Sequence, residues 1–175
     1  LSSSLISNSN AVNVFLEELN SQTGLSFRLP SEAEWEYACR AGSETRFHFG
    51  EYEECTFECR DCVNPANGIR LTDFAVYCYE PGEGGLMPVG SLLPNAWGLF
   101  DMHGNAWEWC ADSYHETYFG APTDGSAWID NGGTPEIVRG GEHQFGPDLC
   151  TSSARYFSPN SVNTTTGLRV VLDAP

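Results

Sequence analysis

An α+β fold follows from three features of this sequence: two helix-period segments near the start, short apolar strand-like phrases near the end, and turn-rich stretches of poor periodicity between them. At 175 residues the chain suits one domain over 1–175 with a single core. Its composition is globular, with 41% hydrophobic and 13% aromatic residues, and 18 glycines and 10 prolines spread along it imply long loops.

The elements can be justified in order. Ala11, Phe15 and Leu19, with Val12 and Leu16 beside them, recur at helical spacing and predict a first helix over Ser9 to Leu19, with Gly24 at its stop. Ser26-Phe27-Arg28-Leu29 reads as a short strand. After Pro30, the Ser31 hydroxyl can cap a helix while Glu34 reaches back, which predicts a capping box and a second helix over Glu32 to Arg40 that stops at Gly42. From Ser43 to Gly90 turn residues dominate, an irregular excursion held by something other than core packing. Trp97, Leu99, Phe100, Met102, Trp107 and Trp109 are then expected in the core, Trp107 and Trp109 on one side of an extended segment. A second loop, Asp112 to Pro135, leads to Val138-Arg139-Gly140-Gly141 and Gly167-Leu168-Arg169-Val170-Val171, which read as buried strands.

Charge excludes several functions. The net charge is -16, and all eight basic residues are arginines, so lysine Schiff-base chemistry is ruled out and a nucleic-acid partner is not expected. No stretch approaches the roughly 20 apolar residues that span a bilayer, so no membrane insertion is expected. The chain opens at Leu1 rather than methionine, which suggests a processed or trimmed start.

The cysteines leave alternatives open. Cys55, Cys59, Cys62 and Cys78 fall in the irregular excursion, where they can form a closed zinc site or two disulfides, the second placing the protein outside a reducing cytosol. Either arrangement staples the loop. Cys39 is expected to be a free buried thiol on the second helix. Cys150 is expected to be structural, packed against or bonded to Cys110.

Four phrases carry a resemblance: Phe27 to Gly42 (FRLPSEAEWEYACRAG), Pro94 to Trp109 (PNAWGLFDMHGNAWEW), Val138 to Gly141 (VRGG) and Gly167 to Val171 (GLRVV). In order and spacing they closely resemble the formylglycine-generating enzyme family, also called sulfatase-modifying factors. The resemblance implies a C-type lectin-like fold with two helices, a small twisted antiparallel sheet and long loops. It also implies further strands before the first helix, which are expected to be missing or trimmed here.

The resemblance carries expectations about chemistry. Family oxidases bind copper through two cysteines after the Arg-Gly-Gly phrase, a soft two-thiolate site. Here Phe145 stands at the first position and Cys150 near the second, so copper is not expected, and an oxidoreductase using Cys150 is the alternative reading. The four histidines are too scattered for the ligand set of the iron-dependent relatives. The calcium phrase of the oxidases is matched by Asp101, Gly104, Ala106 and Glu108, whose carboxylates and carbonyls are hard oxygen ligands. The competing reading is structural: Asp101 caps a turn and Glu108 pairs with an arginine such as Arg139.

Between the last two phrases, Glu142 to Thr166 departs from the family pattern. Glu142, His143, Phe145, Tyr156, Phe157, Asn160, Ser161 and Asn163 combine aromatic area with adaptable hydrogen-bonding groups, a composition suited to recognition. The family includes variable, ligand-binding proteins diversified by retroelements. The sequence is therefore read as a non-catalytic module of that kind, binding a protein or cell-surface ligand, with an extracellular, virion or cell-surface location favoured over a cytoplasmic one.

Overall fold

The computed structural model describes residues 9–52, 59, 62–64, 66–79, 85–130, 135–158 and 165–173. Its elements, in chain order, are α1 (Ser9–Thr23), β1 (Phe27–Arg28), α2 (Glu32–Arg40), β2 (Ala75–Val76), β3 (His103–Gly104), β4 (Trp107–Trp109), β5 (Ile137–Arg139), β6 (Arg155–Phe157), β7 (Thr166–Leu168) and β8 (Val171–Leu172). Two helices with short strands make the fold α+β. The chain forms two compact units, one of Leu1–Trp35, Glu108–Arg139 and Tyr156–Pro175, the other of Glu36–Trp107 and Gly140–Arg155.

In the first unit, α1 runs one turn further than its apolar spacing predicts. It stops at Gly24, whose positive φ of 70° lets its N–H return to the Asn20 carbonyl at 2.9 Å. Val12 is its buried anchor and Phe15 is exposed, so the buried stripe is narrower than expected. The capping box of α2 forms as predicted: Glu34 N–H donates to Ser31 Oγ at 3.0 Å, and Ser31 N–H donates to Glu34 Oε2 at 2.8 Å. Such a cap is worth about 1 kcal/mol. Arg28 then clamps both Glu34 oxygens, at 2.6 and 2.7 Å.

A four-stranded sheet in the order β6-β5-β4-β7 occupies this unit, with β4 and β5 antiparallel and Trp109 opposite Val138. β1 pairs antiparallel with β8, joining Arg28 to Val171 across most of the sequence. Behind β5, Arg139 is fully buried; its guanidinium carbon lies 5.5 Å from the centre of the Trp35 ring, and its Nε lies 3.5 Å from Glu32 Oε1.

The second unit has a core of Phe47, Tyr52, Cys62, Leu71, Ala75, Tyr77 and Cys150. Among its described residues β2 pairs with β3 in parallel, whereas β1 with β8 and β4 with β5 are antiparallel as the resemblance implies. Asn95 locks the following loop to α2: its amide donates to the Ala38 carbonyl at 2.7 Å, while its oxygen accepts from Trp97 N–H at 3.0 Å. Trp97 and Phe100, expected in the core, are exposed, with Trp97 edge-on to Tyr37 at 4.8 Å. Met102, Trp107 and Trp109 are buried as expected.

Cys59 and Cys78 form a disulfide, so the four cysteines of the excursion do not make a four-thiolate zinc site. Cys62 is disulfide-bonded as well, and Cys55 lies outside the described residues. A sulfur committed to a disulfide offers no thiolate to zinc, so this bond removes two of the four ligands a closed site needs.

Candidate functional site

The segment after β5 begins with Gly140 and Gly141, both at positive φ, 93° and 80°. A Cβ on Gly141 would sit 2.7 Å from Cys150 Sγ and 2.8 Å from the Leu149 carbonyl, so only glycine allows this turn. The turn sends the next two side chains inward. Glu142 is 5% exposed and His143 6%, which corrects their expected place on a recognition surface. His143 is tied at three points: its N–H donates to the Asn105 carbonyl at 3.1 Å, its own carbonyl accepts from Tyr79 N–H at 2.7 Å, and its Nδ1 lies 3.3 Å from the Asn105 oxygen. Glu142 Oε2 is buried without a hydrogen bond, 3.8 Å from His143 Nδ1.

The aromatic residues of the segment are partly exposed. Phe145 is 37% exposed with its ring tilted against Trp107, and in the other unit Tyr156 and Phe157 are 49% and 39% exposed. Asn160, Ser161 and Asn163 lie outside the described residues. Sequence reasoning missed Tyr114, whose ring meets Phe157 at 4.7 Å, and Glu136, whose carboxylate accepts from Tyr114 N–H at 3.0 Å. No local signal marks either, because their partnership joins the loop after β4 to β6.

Cys150 is fully buried, its Sγ 3.7 Å from the Gly146 carbonyl. Burial, with the charges of Asp148 and Glu142, pushes its thiol far above the ordinary range, so it is held protonated. The two-thiolate copper site of family oxidases does not fit, because Phe145 offers no donor atom and leaves Cys150 without the second thiol. No disulfide joins Cys150 to Cys110, and Cys39 forms none either. Burial also raises the Cys110 thiol well above its usual value.

Below Cys150, the fully buried His103 has its Nδ1 2.7 Å from the Cys150 carbonyl, which makes Nδ1 the protonated nitrogen. Its Nε2 faces Cys39 Sγ at 3.8 Å. Burial, with His48 beside it, drives His103 down to about 3. Burial likewise takes His48, stacked on it at 5.1 Å, down to about 4. These are neutral packing histidines rather than acid–base groups at neutral pH.

The residues of the calcium phrase have structural partners. Asp101, at φ 57°, accepts from Gly90 N–H at 2.7 Å, as a turn-capping carboxylate would. Gly104 carries no side chain because a Cβ there would overlap the Val76 backbone of β2. Next to it, Asn105 brackets Met87, accepting from its N–H at 2.9 Å and donating to its carbonyl at 3.2 Å. Glu108 takes Arg169 on both oxygens, at 2.8 and 2.9 Å, together with Trp35 Nε1 at 2.7 Å. Glu108 thus pairs with an arginine, Arg169, while Arg139 stands opposite it in the β4–β5 register. Since the Glu108 charge is already met by a guanidinium, the phrase fits a structural role better than a calcium ligand set. Among the described residues, no group of three or more His, Cys, Asp or Glu gathers to hold a metal.

Comparison with known proteins agrees with the phrases. The formylglycine-generating enzyme of Thermomonospora curvata is 32% identical over 155 residues, covering 83% of this chain and 49% of the relative. The chain spans about half the length of the curated relatives it matches. PvdO from Pseudomonas aeruginosa superposes with a TM-score of 0.77 at 33% identity over 97% of this chain and 61% of that one. Treponema denticola variable protein 1 superposes with a TM-score of 0.62 at 28% identity, over 83% of this chain and 47% of that one. The family described as the sulfatase-modifying factor enzyme 1-like domain matches residues 5–174, and together with the inward Gly-Gly turn and the four framework phrases this places the chain in the formylglycine-generating, sulfatase-modifying factor family.

Proposed function

We propose that this chain is a non-catalytic, ligand-binding member of its family, presenting aromatic residues of its C-terminal segment to a protein or cell-surface ligand. The observation that carries the reading is the thiol arrangement. Phe145 stands where family oxidases place a first copper-binding cysteine, and Cys150 is buried and protonated. The exposed rings of Phe145, Tyr156 and Phe157 add area for recognition. Likeness to the Treponema variable protein supports a retroelement-diversified protein. No described helix is long and apolar enough to cross a membrane, and the Cys59–Cys78 disulfide suits an oxidising compartment, which supports display outside the cytosol.

A second reading, formylglycine generation, rests on the named activity of the Thermomonospora relative and on Cys150. One measurement separates them. The purified protein is incubated with cuprous ion and a cysteine-containing peptide, and oxygen uptake and aldehyde formation are followed. The binding-module reading expects neither; turnover abolished by Cys150→Ala would replace it with the oxidase. For diversification the test is the coding locus, where a template repeat differing at adenines beside a reverse transcriptase is expected, and its absence removes that part of the reading.

A further inference from the structure

In the first unit, two aromatic rings and one carboxylate come together from three separate stretches. Tyr114 and Phe157 lie 4.7 Å apart at 49°, each with 39% of its surface exposed. Glu136, just before β5, is held by its carboxylate to the backbone of Tyr114 and by its own carbonyl to the residue after Phe157. Its Oε2 accepts from Tyr114 N–H at 3.0 Å, and its carbonyl accepts from Ser158 N–H at 2.9 Å. Tyr156, beside Phe157, is 49% exposed.

Ring surface open to solvent beside an anchored carboxylate attracts cations, because the ring quadrupole and the carboxylate charge add with the same sign. An acidic partner is repelled, all the more by a chain of net charge -16. A wholly apolar partner would strip water from Glu136 without replacing its hydrogen bonds. We infer that the Tyr114–Phe157 pair, with Glu136 beside it, takes an arginine or lysine side chain presented by a basic segment of a protein partner. Arginine suits it better, since a guanidinium stacks on rings and can engage a carboxylate through two N–H groups. The inference rests on the binding-module reading and supplies the chemistry of the partner.

The test uses a fluorescent arginine-rich peptide and its citrulline counterpart, which keeps the shape and loses the charge, with anisotropy read at physiological ionic strength. The arginine peptide is expected to bind, and the citrulline peptide to bind about tenfold more weakly or not at all. Tyr114→Leu and Phe157→Leu, which keep apolar volume but lose the ring, are expected to weaken binding by about three- to fivefold each. Glu136→Gln retains the acceptor for Tyr114 and is expected to weaken it similarly, while Glu17→Gln on α1 changes nothing. Equal binding by both leucine variants and the parent, or an equal loss from Glu17→Gln and Glu136→Gln, overturns the inference, because diffuse charge then accounts for the attraction. Melting curves check folding; should Tyr114→Leu not fold, Phe157→Leu decides. Oxygen uptake in the copper assay would remove the binding-module reading itself, whereas peptide failure without oxygen uptake removes only the cationic partner.

Discussion

Glu142 and His143 open the C-terminal segment, Tyr156 and Phe157 lie further along it, and both pairs break from the family's usual residues or enrich it in recognition chemistry. The first pair is buried and tied to Asn105 and Tyr79, and the second is half exposed. The difference teaches that departure from a family pattern marks change without saying which way a side chain points. Backbone geometry decides that: two left-handed glycines turn the first pair inward, while the extended β6 holds the second at the surface.

The comparison breaks most dramatically at Gly104. Its left-handed φ of 75° and its approach to Val76 leave no room for a Cβ, and its N–H holds the Gly140 carbonyl at 2.6 Å. Gly104→Ala is expected to lose about 3 kcal/mol or more, read as a denaturant midpoint, and to loosen the inward pair with it. A midpoint within error of the parent would show that the inward turn does not depend on the β2–β3 contact.

Acid comes next. His48 and His103 ordinarily titrate near 6.5, but burial lowers them to about 4 and about 3 in the folded chain. Above 6.5 neither state holds these protons and the stability is complete. As pH falls from 6.5 towards 4 and 3, the unfolded chain binds protons the folded chain refuses, so stability drops. The melting temperature is expected to fall between neutral pH and the lower end of that window, and His48→Phe, which keeps the ring stack, to flatten the slope. An unchanged slope in that variant would locate the acid sensitivity elsewhere.

The two pairs can then be set against each other directly. His143→Ala is expected to cost about 1–2 kcal/mol, through lost packing and the lost contact with the Asn105 carbonyl. Phe157→Ala is expected to cost less, about 0.5–1 kcal/mol for the lost ring contact with Tyr114, with its main effect appearing in binding instead. Comparable losses at both positions would erase the distinction between an inward and an outward half.

Much of this molecule was legible in its sequence, for a physical reason that differs from element to element. The Ser31–Glu34 box is a reciprocal bond across three residues, and Gly24 needs only its own left-handed backbone, so both could be read locally. The family, the α+β class and the absence of a thiol at Phe145 were legible for the same reason, because each resides in residue identity. What required the tertiary structure was every contact between distant stretches. These are the pairing of Cys59 with Cys78, the clamp of Arg169 on Glu108, the exposure of Trp97 and Phe100, and the meeting of Tyr114 with Phe157. Residue type and spacing specify what a side chain can do; the packing of remote segments determines whether it faces water, and so whether Glu142 is a ligand-binding group or an interior one.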